Sequence, residues 1–364
     1  MRARALWPAA VALAVSAAFA GTRLAHSGWN AEALANVGTR FSEGDPAGTE
    51  GYDGQFALYV ARDPDPQSVA PHLDRPAYRY QRILLPLTAR LAALGDPAAI
   101  PWALLAIGLL AQFGGTFAVA ALLASHKRWT GYALTYGLWV GLVAGVGLFL
   151  HEPLAYALAA GGWALRAHER RSLGNVLLGL ALFAKETTLA FAVAALLADV
   201  LGRRDSRRPA MWLAGAFLLF GAWQLWLWRT FGELGLGSGG AQGTPFEWIP
   251  LMGLVRVGFV DLKVLLLYLV IFGPTMVAPA IWAAWSGLRE VLRRTVTGDG
   301  WALLLNGCLI LFLPFSSFRE PLAILRIGSG VVLATLAYAA ASGRRRILNY
   351  SLFWCALLAV LVNG

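Results

Sequence analysis

The residues best suited to chemistry lie in one polar stretch, Gly51 to Pro86, set among apolar segments. Asp53 stands in Tyr52-Asp53-Gly54-Gln55, just ahead of an apolar and aromatic patch formed by Phe56, Leu58, Tyr59 and Val60. A carboxylate near a membrane surface can take the proton of a hydroxyl when a pocket brings the two within hydrogen-bond reach. The plainer reading is a surface turn, where Asp-Gly is common. Arg79 and Arg82 are three residues apart and share a face if helical. Guanidinium groups match phosphate oxygens bidentately, so a lipid phosphate suits them. The alternative is snorkelling to ordinary headgroups, with Tyr78 and Tyr80 as interfacial anchors.

Three further turns repeat a base followed by an acid at the opening of an apolar run: His151-Glu152-Pro153, Lys185-Glu186-Thr187 and Arg319-Glu320-Pro321. Helix capping explains part of this, because Glu in a first turn complements the helix dipole and Pro suits the first helical position. Capping explains Lys185 and Glu186 less well, since ionisable groups at membrane depth are costly and usually functional. Arg326 lies one to two turns beyond Arg319, too deep for snorkelling, and calls for an acidic partner or a ligand phosphate. The five histidines are scattered, and the external acids show no metal-ligand spacing. A carboxylate-bound Mg²⁺ or Mn²⁺ is compatible with these acids, but nothing in their pattern requires one. No phosphate-cradling Gly loop, Ser-His-Asp order or HExxH is present. The glycine-rich segment 235–243 lacks the P-loop Lys-Ser/Thr and reads as a loop. Cys308 and Cys355 lie in apolar runs with no CxxC partner, so they imply neither a disulfide frame nor a thiolate site.

The elements that must position these residues are membrane helices. Of 364 residues, 58% are hydrophobic and 14% charged, against roughly a quarter charged in soluble chains. The formal charge of +10 sits in short basic clusters between apolar runs, the pattern of cytoplasmic loops rather than of a nucleic-acid surface. The expected fold is all-α, a single polytopic bundle over 1–364 of about 11 helices, each near the length that crosses a bilayer. Residues 1–24 read as an uncleaved first helix, with a cleaved secretory signal as the alternative. Residues 25–81 form a first external loop carrying eight acids, and 82–95 an interfacial helix interrupted by Pro86. Spans are expected at 99–124, 130–150, 154–166, 210–228, 264–285, 301–315, 322–341 and 347–362, with a second external loop at 229–263. As one helix, 173–201 would be about 43 Å long. It would also carry Arg203, Arg204, Arg207 and Arg208 to the outside, against the positive-inside bias. A break at Lys185-Glu186-Thr187 removes both problems. The N-terminus then lies in the cytoplasm, and the three base–acid turns share the outer face of the cytoplasmic (inner) membrane with the 51–86 stretch.

This pattern resembles the GT-C superfamily of integral-membrane glycosyltransferases, and more closely bacterial membrane proteins of cell-surface glycopolymer formation. The resemblance rests on Tyr52-Asp53-Gly54-Gln55, Asp63-Pro64, and Leu73-Asp74-Arg75-Pro76-Ala77-Tyr78-Arg79-Tyr80-Gln81-Arg82-Ile83, followed by the three base–acid turns. It implies that Asp53 is the base and that the donor is a polyprenyl-phosphate-linked sugar, with a lipid or glycan acceptor in the cell envelope. Arg79, Arg82, Lys185, Arg319 and Arg326 would stabilise the leaving phosphate, and Gln55, Glu152 and Glu186 would bind sugar hydroxyls, with Glu320 part of the same wall. The chain departs from the superfamily in having Gly54 where many members carry a second acid, and in having no large soluble C-terminal domain. Two rival classes are a transporter or flippase of lipid-linked saccharides and a non-catalytic assembly subunit. Polar residues crowded on one side, with no inverted repeat, favour the enzyme over the transporter.

Overall fold

A computed structural model describes residues 2–201, 207–237, 239–240 and 243–361. Arg203 and Arg204 of one basic cluster, and Ser238, Ala241 and Gln242 of the glycine-rich segment, lie outside the described residues. Among the described residues the chain is all-helical, with no strand. Five helices are long and apolar enough to cross a membrane: Arg4–His26, Ile100–Ser125, Arg208–Phe231, Leu262–Leu292 and Pro321–Ala341. The Ile100–Ser125 helix starts with Pro101 in its first turn, where the missing N–H costs nothing. At 26 residues it is about 39 Å long, more than the ~30 Å a hydrocarbon core requires. The Arg208–Phe231 helix leaves Leu218, Leu219 and Leu225 exposed, a face suited to lipid rather than to water.

The first loop is folded, not extended. It holds short helical turns and the amphipathic helix Gly54–Arg62, whose Leu58 and Ala61 are buried in a shared core with Leu85, Ala89, Ile100 and Leu104. The segment after it, Leu84–Ala92, is nine residues long and packs against both Gly54–Arg62 and Ile100–Ser125.

Two expected spans are not continuous helices. Residues 130–150 are divided into Thr130–Ala133, Leu134–Gly137 and Val140–Gly147. The interruption at Leu138-Trp139 releases the Trp139 indole to donate to the Leu325 carbonyl at 2.7 Å, a buried bond between distant segments. Residues 347–362 likewise give a short helix, Arg345–Ser351, followed by the tighter 3₁₀ helix Leu352–Leu361. The 264–285 span continues to Leu292 through a wider π turn at Gly273–Val277, centred on Pro274. The 173–201 segment breaks at Lys185, which is extended (φ −161°, ψ 130°) between Arg171–Ala184 and the turn Glu186–Thr188. Thr188 supplies the hydrogen bonds that the break removes: its N–H and hydroxyl both donate to the Lys185 carbonyl, at 3.1 and 2.8 Å.

Two close backbone approaches set the position of the polar residues. Gly54 lies so near the Leu148 carbonyl that a Cβ would stand 1.9 Å from its oxygen. Gly141 is pressed against Leu325, where a Cβ would stand 2.3 Å from the carbonyl oxygen and 2.9 Å from the Arg326 Cα. Substituting Gly54→Ala should therefore displace Asp53 and lower stability by about 1–3 kcal/mol through overpacking. Gly21→Ala, on a helix with open space at that Cβ, should leave it unchanged or slightly higher. Thermal unfolding of the detergent-solubilised protein compares the two.

Candidate functional site

One cavity of about 1360 Å³ is lined by residues from every segment singled out in the sequence: Asp53, Gln55, Arg79, Arg82, Glu152, Lys185, Glu186, Arg319, Glu320 and Arg326. Helix ends deliver most of them. Asp53 immediately precedes Gly54–Arg62, and Arg79 lies on the single turn Pro76–Tyr80. Glu152 opens the helix Glu152–Ala167 with Pro153 beside it. Lys185 and Glu186 occupy the helix break. Arg319 and Glu320 sit at the exposed mouth, and Arg326 lies inside on the helix Pro321–Ile327.

Arg326 is the hub. Its Nε meets Glu152 Oε1 at 2.6 Å, its Nη2 meets Asp53 Oδ2 at 2.7 Å, and its Nη1 donates to the Tyr52 hydroxyl at 3.0 Å. Tyr52 in turn donates to Glu320. Glu152 Oε1 also accepts from Lys185 Nζ at 2.8 Å, while Oε2 has no partner. The other Asp53 oxygen, Oδ1, is held at 3.0 Å by Arg79, which clasps Asp74 with two further bonds at 2.7 and 2.8 Å. Arg82 forms a two-pronged pair with Glu186 at 2.7 and 2.6 Å and donates to Tyr78. The Arg79 guanidinium lies 4.2 Å from the Phe56 ring centre, and that of Arg82 4.2 Å from the Tyr78 ring centre. Four buried cations (Arg79, Arg82, Lys185, Arg326) thus face four carboxylates (Asp53, Asp74, Glu152, Glu186). Charges removed from water persist only when paired and hydrogen-bonded in this way.

The Asp53 side chain keeps 26% of its surface open to the cavity, whereas Arg79 and Arg326 keep 7% and 5%. Burial pushes the Asp53 carboxyl up, but Arg79, Arg326 and Arg82 outweigh it and hold it well below the usual carboxylate range. Asp53 is therefore ionised throughout the physiological range, and a weak base while both arginines hold it. Glu186, buried but clamped by Arg82, is held down to about 2. Burial first, and then Arg82, push Lys185 down to about 8 against the opposing pull of Glu152.

Gln55 is already in use: its Oε1 accepts from Gly38 N–H at 3.0 Å and its Nε2 donates to the Glu50 carbonyl at 2.7 Å. It ties the first loop to the helix that follows Asp53. Three residues of the network escaped sequence reasoning as chemical groups, namely Tyr52, Asp74 and Tyr78. The sequence carries one signal for Asp74, its place five residues before Arg79, within reach of a long guanidinium side chain. The cavity lining includes apolar residues as well, among them Leu189, Ala190, Val193, Leu305, Leu309 and Ile327. No cluster of three or more metal-ligand residues occurs among the described residues.

Removing one partner of a buried ion pair costs more than removing the pair. Glu152→Gln should leave Lys185 and Arg326 undercompensated and destabilise the protein by about 3–5 kcal/mol. Adding Lys185→Met should recover part of that loss, a coupling read from unfolding midpoints of the two single variants and the double. In comparisons with protein-family models, curated proteins and solved structures, no match to this chain is found.

Proposed function

We propose that this protein is a membrane glycosyltransferase that moves a sugar from a polyprenyl-phosphate donor to a cell-envelope acceptor. The observation that carries the reading is Asp53, held between Arg79 and Arg326 in a cavity lined by charged groups and by apolar side chains. A lipid-linked phosphosugar has the same two characters, with a prenyl chain for the apolar side chains and a phosphate and sugar for the charged groups. Under this reading the site faces outward across the cytoplasmic membrane, with the N-terminus in the cytoplasm. The basic ends of the same helices then lie on the cytoplasmic side, as positive-inside distribution requires.

In the reaction, the acceptor hydroxyl attacks the anomeric carbon as the bond from that carbon to the phosphate oxygen breaks. The bonding electron pair leaves with the phosphate, and the hydroxyl proton passes to Asp53. The incoming phosphate competes for Arg79 and Arg326, and Asp53 regains basicity as their grip shifts to the phosphate oxygens. Arg82, Lys185 and Arg319 add positive charge where negative charge develops on the leaving group. Glu152, Glu186 and Glu320 accept hydrogen bonds from sugar hydroxyls.

Asp53→Asn should lower transfer of labelled sugar in intact membranes about 100-fold or more, at equal protein level. Near-normal turnover would remove Asp53 as base. Product formed by purified protein from a labelled prenyl-phosphate sugar also separates the enzyme from a flippase and from an assembly subunit, neither of which makes a new glycosidic bond.

The pH profile follows from the same groups. The Lys185 ammonium is charged below about 8 and loses its proton as pH rises through that value. The kcat/KM should therefore fall on the alkaline side near pH 8, and Lys185→Arg, which stays charged, should carry that limb upward. Asp53 stays ionised on the acid side, so no acid limb from it should appear within the ordinary carboxylate range.

A further inference from the structure

The charged network leaves one part of the cavity wall unexplained. Gln81, between Arg79 and Arg82 in sequence, lines the cavity and is only 1% exposed. Among the described residues, neither its Oε1 nor its Nε2 has a hydrogen-bond partner. Buried amides are almost always satisfied, and one that lies unpaired at both ends just behind the lining of a cavity calls for an external partner. Its main chain is fixed, with the N–H donating to the Ala77 carbonyl at 3.0 Å. Gly235 lies close against its side chain, where an added Cβ would stand 2.8 Å from the Gln81 Cβ and 3.0 Å from Oε1. The next residue, Leu236, donates its N–H at 3.0 Å to Oε1 of a second buried glutamine, Gln224. The Nε2 of Gln224 is likewise without a partner.

We propose that Gln81 is a specificity-determining residue that reads a hydroxyl of a saccharide bound in the cavity. The argument is one of complementarity and rests on the saccharide-transfer reading above. Gln81 offers one acceptor and one donor group side by side. A phosphate or carboxylate only accepts and would leave Oε1 unsatisfied, and an ammonium only donates and would leave Nε2 unsatisfied. A hydroxyl does both, and neighbouring sugar hydroxyls can bond both ends of one amide. The carboxylates nearby only accept hydrogen bonds and the guanidinium groups only donate them, so a neutral amide that does both is suited to distinguishing one sugar from another. Gln81 takes no part in bond making; it sets which sugar sits beside Asp53.

The test uses the full-length protein in lipid nanodiscs and a short-chain prenyl-phosphate hexose, with a set of analogues each lacking one ring hydroxyl. Binding is measured by isothermal titration and transfer with labelled sugar. In the wild type, one deoxy analogue should bind about tenfold more weakly than the parent, because the site is left with unpaired polar groups. In Gln81→Leu the parent should bind about as weakly as that analogue, and removing the same hydroxyl should cost nothing more, with the loss in KM rather than kcat. Gln81→Glu keeps the shape and the acceptor but loses the donor, so it should shift the preference among analogues even if the leucine variant folds poorly. Equal losses for parent and every analogue, or no loss at all, would overturn the proposal and leave the enzyme reading intact. Binding with selectivity but no transfer by the wild type would overturn the enzyme reading and keep this one. No saccharide binding by the wild type would overturn both.

Discussion

The structure turns on how a guanidinium is kept charged at 4% exposure, and Arg326 shows the solution. Isolated, such a charge would cost several kcal/mol to remove from water. Arg326 avoids that cost by touching Asp53, Glu152 and Tyr52, which belong to segments far apart in the chain. The first loop, the opening of Glu152–Ala167 and the helix Pro321–Ile327 therefore have to converge on one point. Much of the surrounding backbone serves that convergence. Gly141 lets Val140–Gly147 lie against Leu325 and Arg326, Trp139 satisfies the Leu325 carbonyl, and Gly54 brings Asp53 under the Leu148 carbonyl.

What the sequence made legible depended on whether a physical constraint was local. The break at Lys185 was readable, because a single helix from 173 to 201 would be too long for an upright span. That Glu152, Lys185, Glu186 and Arg326 would meet the Asp53 stretch was readable from the repeated base–acid turns and from the need of buried charges for partners, and these residues do line one cavity with Asp53. The pairing itself was not. Whether Arg82 meets Glu186 or Glu152 depends on distances that only the packed helices fix. The interruption at Leu138-Trp139 was hidden because an apolar run looks the same whether or not one indole leaves it to reach Leu325. The role of Gln55 was hidden for a similar reason: its partners are main-chain groups of Gly38 and Glu50, which carry no side-chain signature.

The even balance of four cations and four carboxylates bears on how such a site could meet an anion. A cluster with surplus arginines would attract phosphate and hold it. A balanced one lets phosphate in by exchange, each oxygen taking a guanidinium from a carboxylate that already held it. Under the proposed reading this exchange has a chemical use, because the carboxylate most open to the cavity is Asp53. Its basicity is suppressed by the same arginines the phosphate would recruit. Proton acceptance is then tied to donor binding.

Helix ends add a term that the count of side-chain charges leaves out. Glu152 stands at the N-terminus of a 16-residue helix, and the Glu186–Thr188 turn leads into the 13-residue helix Leu189–Leu201. Both ends open on the cavity, and each contributes roughly half a positive charge from unpaired N–H groups. A cluster neutral by formal charge is therefore positive in the field it presents to a ligand. The same fact explains why the acids sit where they do. Glu152 and Glu186 gain from the helix ends as well as from Lys185, Arg82 and Arg326, so they stay ionised deep in the protein. The backbone polarity exposed by ending a helix early and the side-chain charge brought to meet it are one feature. The chain places both in the lining of one cavity, to which Leu189, Ala190 and Val193 of the helix Leu189–Leu201 also belong.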